Sequence, residues 1–411
     1  MVPEGRGVQA CYADDPTGWN SLIQSIAHTH LRDAAAFTAF QKKFDALGKT
    51  YLDSAERLSR AAGSQTPLSN LGPVYAAYFS DWLSYTAALW ASYLLNEYAT
   101  ATADAFLARR FGAEKGAALS RQILTPSRST EIADAIRMLS DLKQNGGSAQ
   151  SFLDAYPWFS CLDVHNAPWT LSETEKAIAS ARPLVAQEKT DVPSLLNSMP
   201  LSEAERFLLE SAHALSYIKD QRDVYRRKGV YAALPFYTAV GKKTGQRFSD
   251  VAFWTYRELL GFLSGGPEVP LSTVNARKQG FLLYGDAATM TCVQGPDVPA
   301  HLNTLGIVVG QSAFRDAVRG LSASPGLAQG AARIVRTVSD LDKVQEGDVL
   351  VAVTTHPDFV PAMHRACAIV TDEGGLTSHA AIVSREFKIP CIVGTKNATT
   401  AFSDGDVLLV D

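Results

Sequence analysis

At 411 residues the chain exceeds the roughly 100–200 residues of one domain, so more than one domain is expected. Apolar residues at 46% and charged residues at 19% give an ordinary globular balance, and a net charge of −4 leaves no basic excess that would mark a nucleic-acid binder. Five cysteines (Cys11, Cys161, Cys292, Cys367 and Cys391) are scattered, with neither a CxxC pair nor metal-ligand spacing. That usage points to a reducing cytoplasm and away from a disulfide scaffold or a zinc site.

The first residues lack the charged start and apolar core of a secretory signal. The most apolar stretch, residues 82–95 between Asp81 and Glu97, is shorter than the roughly twenty residues a bilayer span needs. It reads as a buried helix. Residues 21–263 carry apolar side chains at three- and four-residue spacing, with long helices expected over 30–62 and 73–111. Shorter ones are expected over 129–143, 172–187 and 202–228, two of them opened by Ser172-Glu173-Thr174-Glu175 and Ser202-Glu203-Ala204-Glu205. Breaks fall at Gly146-Gly147, Asn166-Ala167-Pro168 and Gly265-Gly266-Pro267.

After residue 305 the pattern changes to short β-branched runs at 331–338, 348–354, 367–371, 391–393 and 406–410. Helical patterns at 359–366 and 378–387 lie between them. The expected architecture is therefore multidomain: a large all-α N-terminal domain over 1–305, a linker over 306–320, and a small α/β unit over 321–411.

Residues 371–394, TDEGGLTSHAAIVSREFKIPCIVG, carry the chemistry. A strand meets Gly374 and Gly375, and Leu376-Thr377-Ser378-His379 then opens a helix that stops at Pro390. A histidine in the first turn of a helix, behind a glycine loop whose N–H groups can face an anion, suits a phosphorylated imidazole. A neutral ring nitrogen is nucleophilic near neutral pH, and the N–P bond it forms is labile enough to pass the group on. His379 is thus the catalytic candidate. Gly374, Gly375 and Thr377 are phosphate-binding candidates, with support from Thr355, Arg385 and Glu386. Arg385 falls off the i+3/i+4 positions that share a face with His379, which favours a structural role with Glu386 or an interdomain contact. Ser378 is given no role, and His356 and His364 read as surface residues.

The block resembles the active-site signature of the swivelling phosphohistidine domain of phosphoenolpyruvate-utilising enzymes, a group that includes phosphoenolpyruvate synthase, pyruvate phosphate dikinase and rifampicin phosphotransferase. The matching positions are Gly374, Gly375, Thr377, His379, Ala380, Ala381, Ile382, Arg385, Glu386, Ile389, Pro390 and Gly394. Upstream, Ser324-Pro325-Gly326 with Gly330, and Thr355 with Pro357-Asp358-Phe359-Val360-Pro361-Ala362-Met363, follow in the same order. The resemblance implies a β/β/α swivelling fold, with His379 as covalent carrier. In some relatives the threonine at the place of Thr377 is a regulatory phosphorylation site. An ATP-grasp domain loads the carrier with the β-phosphoryl group of ATP, with Mg2+, and a second module receives it. Residues 1–320 show no ATP-grasp features, and no phosphoenolpyruvate-binding barrel is expected within the sequence given. ATP and Mg2+ are therefore implied through a partner domain, with no cofactor or metal bound by this chain itself. Relatives run on past the last strand with a glycine and a further strand, so the sequence is expected to be a piece of a longer product.

The layout also resembles the helical substrate-binding domain and histidine domain of rifampicin phosphotransferase, and two-component systems such as phenylphosphate synthase. Looser similarities lie at Tyr156-Pro157-Trp158, Pro168-Trp169-Thr170, the run from Lys219 to Asp223, and Arg277 before Phe281-Leu282-Leu283-Tyr284. Trp82, Tyr85, Trp90, Tyr93, Trp158 and Trp169 are candidate linings for a hydrophobic or aromatic acceptor, although aromatics at helical spacing are usually core. Lys219, Arg222, Arg226, Arg227 and Lys228 could meet a phosphoryl group, but Asp220 and Asp223 among them favour a solvated helix face. His28, His30, His165 and His213 are candidate bases for an acceptor hydroxyl, with none singled out.

The expected function is a cytoplasmic phosphotransferase component, with an ATP-grasp partner, a small-molecule acceptor, and neither nucleic acid nor membrane as partner. One alternative is a fragment of a phosphoenolpyruvate synthase-like enzyme without its ATP-grasp and barrel domains. Another is a non-catalytic binding or regulatory homologue.

Overall fold

The computed structural model describes residues 16–63, 67–181, 190–285, 290–304, 317–336, 338–356, 359–376 and 378–411, with two short paired strands, Val2–Pro3 and Val8–Gln9. Most of the expected 306–320 linker lies outside the described residues, as do Thr377, Pro357 and Asp358.

The helical region is organised by α1 (Ala34–Gly63), α2 (Gly72–Phe111), α3 (Glu131–Asn145), α4 (Leu171–Ser180) and α5 (Glu203–Thr244). Along α1 the buried Phe37, Phe40, Phe44, Tyr51, Ala55 and Leu58 form one stripe at helical spacing. That stripe packs with Tyr75, Tyr78, Tyr85 and Leu95 of α2 and Leu215, Tyr225 and Phe236 of α5. α5 opens on a reciprocal capping box between Ser202 and Glu205 and ends at Gly245 in the left-handed region, φ 68°. It runs on past the expected end at residue 228, with Pro235 inside it. Gly229 and Pro235 look like stop signals in sequence, but burial of Val230, Ala233, Leu234, Phe236, Tyr237 and Val240 overrides them. A hairpin of Phe281–Gly285 and Met290–Gln294 closes the region, a β element the sequence reading did not foresee. It is tied on by Arg277, which donates to Gln294 Oε1 (2.8 Å), the Phe253 carbonyl (2.8 Å) and both Glu258 oxygens (2.7 and 2.8 Å).

α1 and α5 cross at a pair of glycines, where the Tyr225 ring covers Gly48 and the Tyr51 ring covers Gly229. A Cβ on Gly229 would come 2.2 Å from the Tyr51 ring. Gly229→Ala is therefore expected to destabilise the chain by about 1–3 kcal/mol through overpacking. Urea unfolding reads this as a lowered midpoint, and an unchanged midpoint would contradict the packing.

The C-terminal domain comprises β1 (Leu321–Ser324), β2 (Ala328–Val335), β3 (Val349–Ala352), α6 (Val360–Arg365), β4 (Ala368–Thr371), α7 (His379–Phe387), β5 (Cys391–Val393) and β6 (Val407–Val410). The strands lie in the order β6-β2-β3-β4-β5-β1. Pairings among β2, β3, β4 and β5 are parallel, and the two outer ones are antiparallel. β3 and β4 are buried at every residue, which is why they read as continuous apolar runs rather than alternating ones. One face of the sheet, including Leu408 and Val410 of β6, packs with Ala398 and Phe402. The other carries α6 and α7, and its core is continuous with Ile132, Ile136, Leu139, Phe152, Trp158, Phe159 and Val224 of the helical region. The fold thus presents the C-terminal domain docked on α3, α4 and α5. Among the described residues no helix is long and apolar enough to cross a membrane, and Cys161, Cys292 and Cys391 carry free thiols.

Candidate active site

The site lies where the parallel strands end, the usual place for ligands on such sheets. Thr355 follows β3, the glycine loop follows β4, and His379 is the first residue of α7. Asp372 fixes the loops after β4 and β5. Its buried carboxylate accepts from the Thr395 hydroxyl (3.0 Å), the Thr399 amide (3.2 Å) and the Thr399 hydroxyl. Ser378 caps α7, its Oγ accepting from the Ala381 amide at 3.2 Å. Gly374 has φ 108°, and a Cβ there would lie 2.7 Å from the Ser378 Cβ, so the tight approach of loop to cap requires glycine. A Cβ on Gly375 would meet open space. Thr377 is outside the described residues.

His379 Nδ1 lies 3.0 Å from Thr355 Oγ1. With the proton on Nδ1 donated to that oxygen, the Nε2 lone pair points away from β3. Nε2 is buried and has no hydrogen-bond partner among the described residues, which is costly unless a ligand or a transferred group uses it. Thr355→Val keeps the shape and removes the orienting oxygen. It is expected to slow phosphorylation of His379 about tenfold, one hydrogen bond's worth, with unchanged circular dichroism. An unchanged labelling rate would show that Thr355 does not set the ring.

Burial holds the His379 imidazole well below its usual pKa, with Lys219, His356 and Arg227 adding to the effect. Two of these three charges come from α5, across the docking interface. Burial also pulls Lys219 down to about 8. The solvated-face reading of the α5 cluster is therefore corrected: Arg227 is 0% exposed and Arg222 9%. Arg227 donates to the Phe159 carbonyl and lies 5.9 Å over that ring. Arg226 pairs with Asp163, and Lys228 with Glu131 at 2.6 Å. Charges interleaved in sequence are distributed around the helix by its 3.6-residue turn, and those on the docked side leave solvent. The surface reading of His364 is corrected as well. It is buried, stacked 3.9 Å from the Phe387 ring where α6 meets α7.

Arg385 donates to the carbonyls of Leu376 (2.9 Å) and Ala323 (3.3 Å), tying the glycine loop to β1. Burial lowers its pKa to about 10. Glu386 is pushed up to about 7, first by burial and then by Asp220 on α5. Of the aromatic candidates, Tyr85 is core with its hydroxyl donating to the Arg222 carbonyl, and Trp158 is buried. Trp90 is 41% exposed, edge-on to Tyr93, over whose ring Arg222 lies at 5.2 Å. His213 is held between the Ile123 carbonyl (2.7 Å) and Ser127 (2.8 Å), and His30 packs on Phe40. Sequence reasoning did not single out Asp372 or Ser378. The capping geometry of serine just before a helix was a usable signal for the second.

Residues 344–411 match the family described as PEP-utilising enzyme, mobile domain. Over 94 residues the chain is 60% identical to a probable phosphoenolpyruvate synthase of Methanothermobacter thermautotrophicus, a stretch that is 23% of this chain and 14% of that protein. The phosphoenolpyruvate synthase of Pyrococcus furiosus is 58% identical over 94 residues, 12% of its length, and that of Deinococcus radiodurans 47% over 93 residues. The C-terminal part of the chain is therefore a phosphoenolpyruvate-utilising mobile domain. The matched stretch spans only 14% of the first of these relatives and 12% of the other two.

Proposed function

We propose that the chain is the carrier component of a phosphotransferase. His379 Nε2 accepts a phosphoryl group from an ATP-grasp module outside this sequence, with Mg2+ bound there. The C-terminal domain then delivers the group to an acceptor at the helical region. Gly374 shapes the loop, Thr355 orients the ring, and the positive end of the α7 dipole stabilises the phosphoryl charge. The observation that carries this reading is the buried Nε2, without a partner among the described residues, at a helix N-terminus, its sister nitrogen held 3.0 Å from a threonine hydroxyl. A pKa held low keeps the imidazole neutral, and so nucleophilic, at neutral pH.

A second reading draws on the names of the relatives. In it the chain is a piece of a phosphoenolpyruvate synthase-like enzyme, and the group moves between ATP and pyruvate through domains supplied elsewhere. One experiment separates the two. The chain is incubated with labelled ATP and magnesium plus candidate ATP-grasp proteins, and separately with labelled phosphoenolpyruvate plus a barrel-type partner. The carrier reading predicts acid-labile label from ATP. Label from phosphoenolpyruvate alone supports the second reading, and label in neither arm contradicts both.

A further inference from the structure

We infer that α5 supplies a seat for the phosphoryl group on His379, built from Lys219 with Arg227 beside it. The helical region, rather than a site beyond this chain, then holds that group when the domain is docked. This rests on the carrier reading above and adds residues that the matched mobile-domain stretch at 344–411 does not contain.

Three observations converge on the seat. The reactive-side nitrogen of His379 is buried without a hydrogen-bond partner among the described residues, although Nδ1 is satisfied. The interface beside it is a continuous apolar core, running from Ala380, Ala381 and Leu376 to Phe159, Trp158 and Val224, and the docked arrangement covers Nε2 while the rest of His379 stays half-buried. The charges that His379 meets there are all basic groups: Lys219 and Arg227 from α5, and His356 from the loop after β3. Such surroundings penalise an imidazolium and favour a dianionic phosphoryl group in the same place. Arg227 is immobilised by its bond to the Phe159 carbonyl and by that residue's ring, so its charge is preorganised. The nearby acids act on Lys219 rather than on the ring: Asp220 and Asp223 lie beside Lys219, and neither is among the charges acting on His379. Asp220 reaches Thr130 at 3.4 Å and acts on Glu386, while Asp163 is taken by Arg226.

The seat also constrains the transfer step. An acceptor hydroxyl reaching the seated group forms its O–P bond as the Nε2–P bond breaks; the bonding pair returns to Nε2, leaving neutral imidazole with its proton on Nδ1, and the hydroxyl proton passes to a phosphoryl oxygen of the product ester. Lys219 and Arg227 hold the phosphoryl oxygens through that exchange and are not consumed. Because Nε2 is covered in the docked arrangement, the seated phosphohistidine is expected to hydrolyse slowly.

The test loads the full chain chemically with phosphoramidate, which needs no partner protein, and follows the phosphorus resonance of His379 against pH. In the wild type the phosphoryl titration is expected about one to three units below that of free phosphohistidine, because opposite charges lie beside it. Lys219→Ala is expected to move the midpoint back toward the free value and to speed hydrolysis several-fold. Lys219→Arg, which keeps the charge, is expected to retain the depressed midpoint. Circular dichroism and a matching His379 loading level confirm that each variant is folded. Loaded protein whose midpoint and hydrolysis rate are the same in wild type and Lys219→Ala overturns the seat alone. Failure of the wild type to load at His379 overturns the carrier reading, and the seat with it.

Discussion

Replacing His379 by alanine or asparagine is expected to lower phosphoryl incorporation by a factor on the order of a thousand or more, leaving at most background label. The size of the effect follows from what is left behind. No other imidazole among the described residues combines a helix N-terminus, a hydroxyl orienting one nitrogen and a buried, unpartnered second nitrogen. His364 is stacked inside the core and His213 is bonded at both nitrogens. Asparagine keeps a polar group on the helix start, so the fold and the docked interface should persist by circular dichroism. Labelling of the variants at the wild-type rate would remove His379 from the chemistry.

The second large effect concerns closure of the domain. Glu386 on α7 meets Asp220 on α5, with Arg137 of α3 and the neighbouring Arg385 also acting on it. Burial and the Asp220 charge raise its pKa from the ordinary 4.5 to about 7 when docked. Asp220 is raised as well, first by burial, with Lys219 opposing. A carboxyl raised on docking contributes closure that is fully present below its ordinary value and lost as the pH climbs through its docked value. Closure is therefore expected to weaken between pH 4.5 and about 7 and then level off. His379, whose pKa is lowered by docking, works in the opposite sense below its ordinary 6.5. Comparison with Glu386→Gln removes that common contribution, because glutamine stays neutral throughout. At a pH near 8 the variant should close at least about tenfold more tightly than wild type, and the advantage should fade as the pH approaches the ordinary carboxylate value. Energy transfer between dyes on the helical region and the C-terminal domain reads the closed fraction. Identical closed fractions at both pH values would rule out proton-coupled docking through this pair.

Much of this was legible in the sequence, for identifiable reasons. The strands at 349–352 and 368–371 show as β-branched runs because both faces are covered. The helix start at His379 shows because serine precedes it and glycines precede the serine. α1 and α2 show because their buried stripes repeat at helical spacing over many turns. What was not legible depends on partners distant in sequence. Arg227 looks like one cation among several until Phe159 and the docked domain cover it. Glu386 looks like a surface acid until Asp220 faces it. The continuation of α5 through Gly229 and Pro235 depends on Tyr51 packing against the glycine, which no local propensity reports.

The most direct test of the account is to locate the phosphorus on the loaded chain. The protein is loaded with nitrogen-labelled imidazole in place, by phosphoramidate or by ATP and magnesium with an ATP-grasp partner, and the nitrogen–phosphorus coupling is measured by NMR. The account predicts one phosphohistidine, at Nε2 of His379, because Nδ1 is engaged by Thr355. Phosphorus on Nδ1, on another residue, or on no histidine under either donor would contradict it.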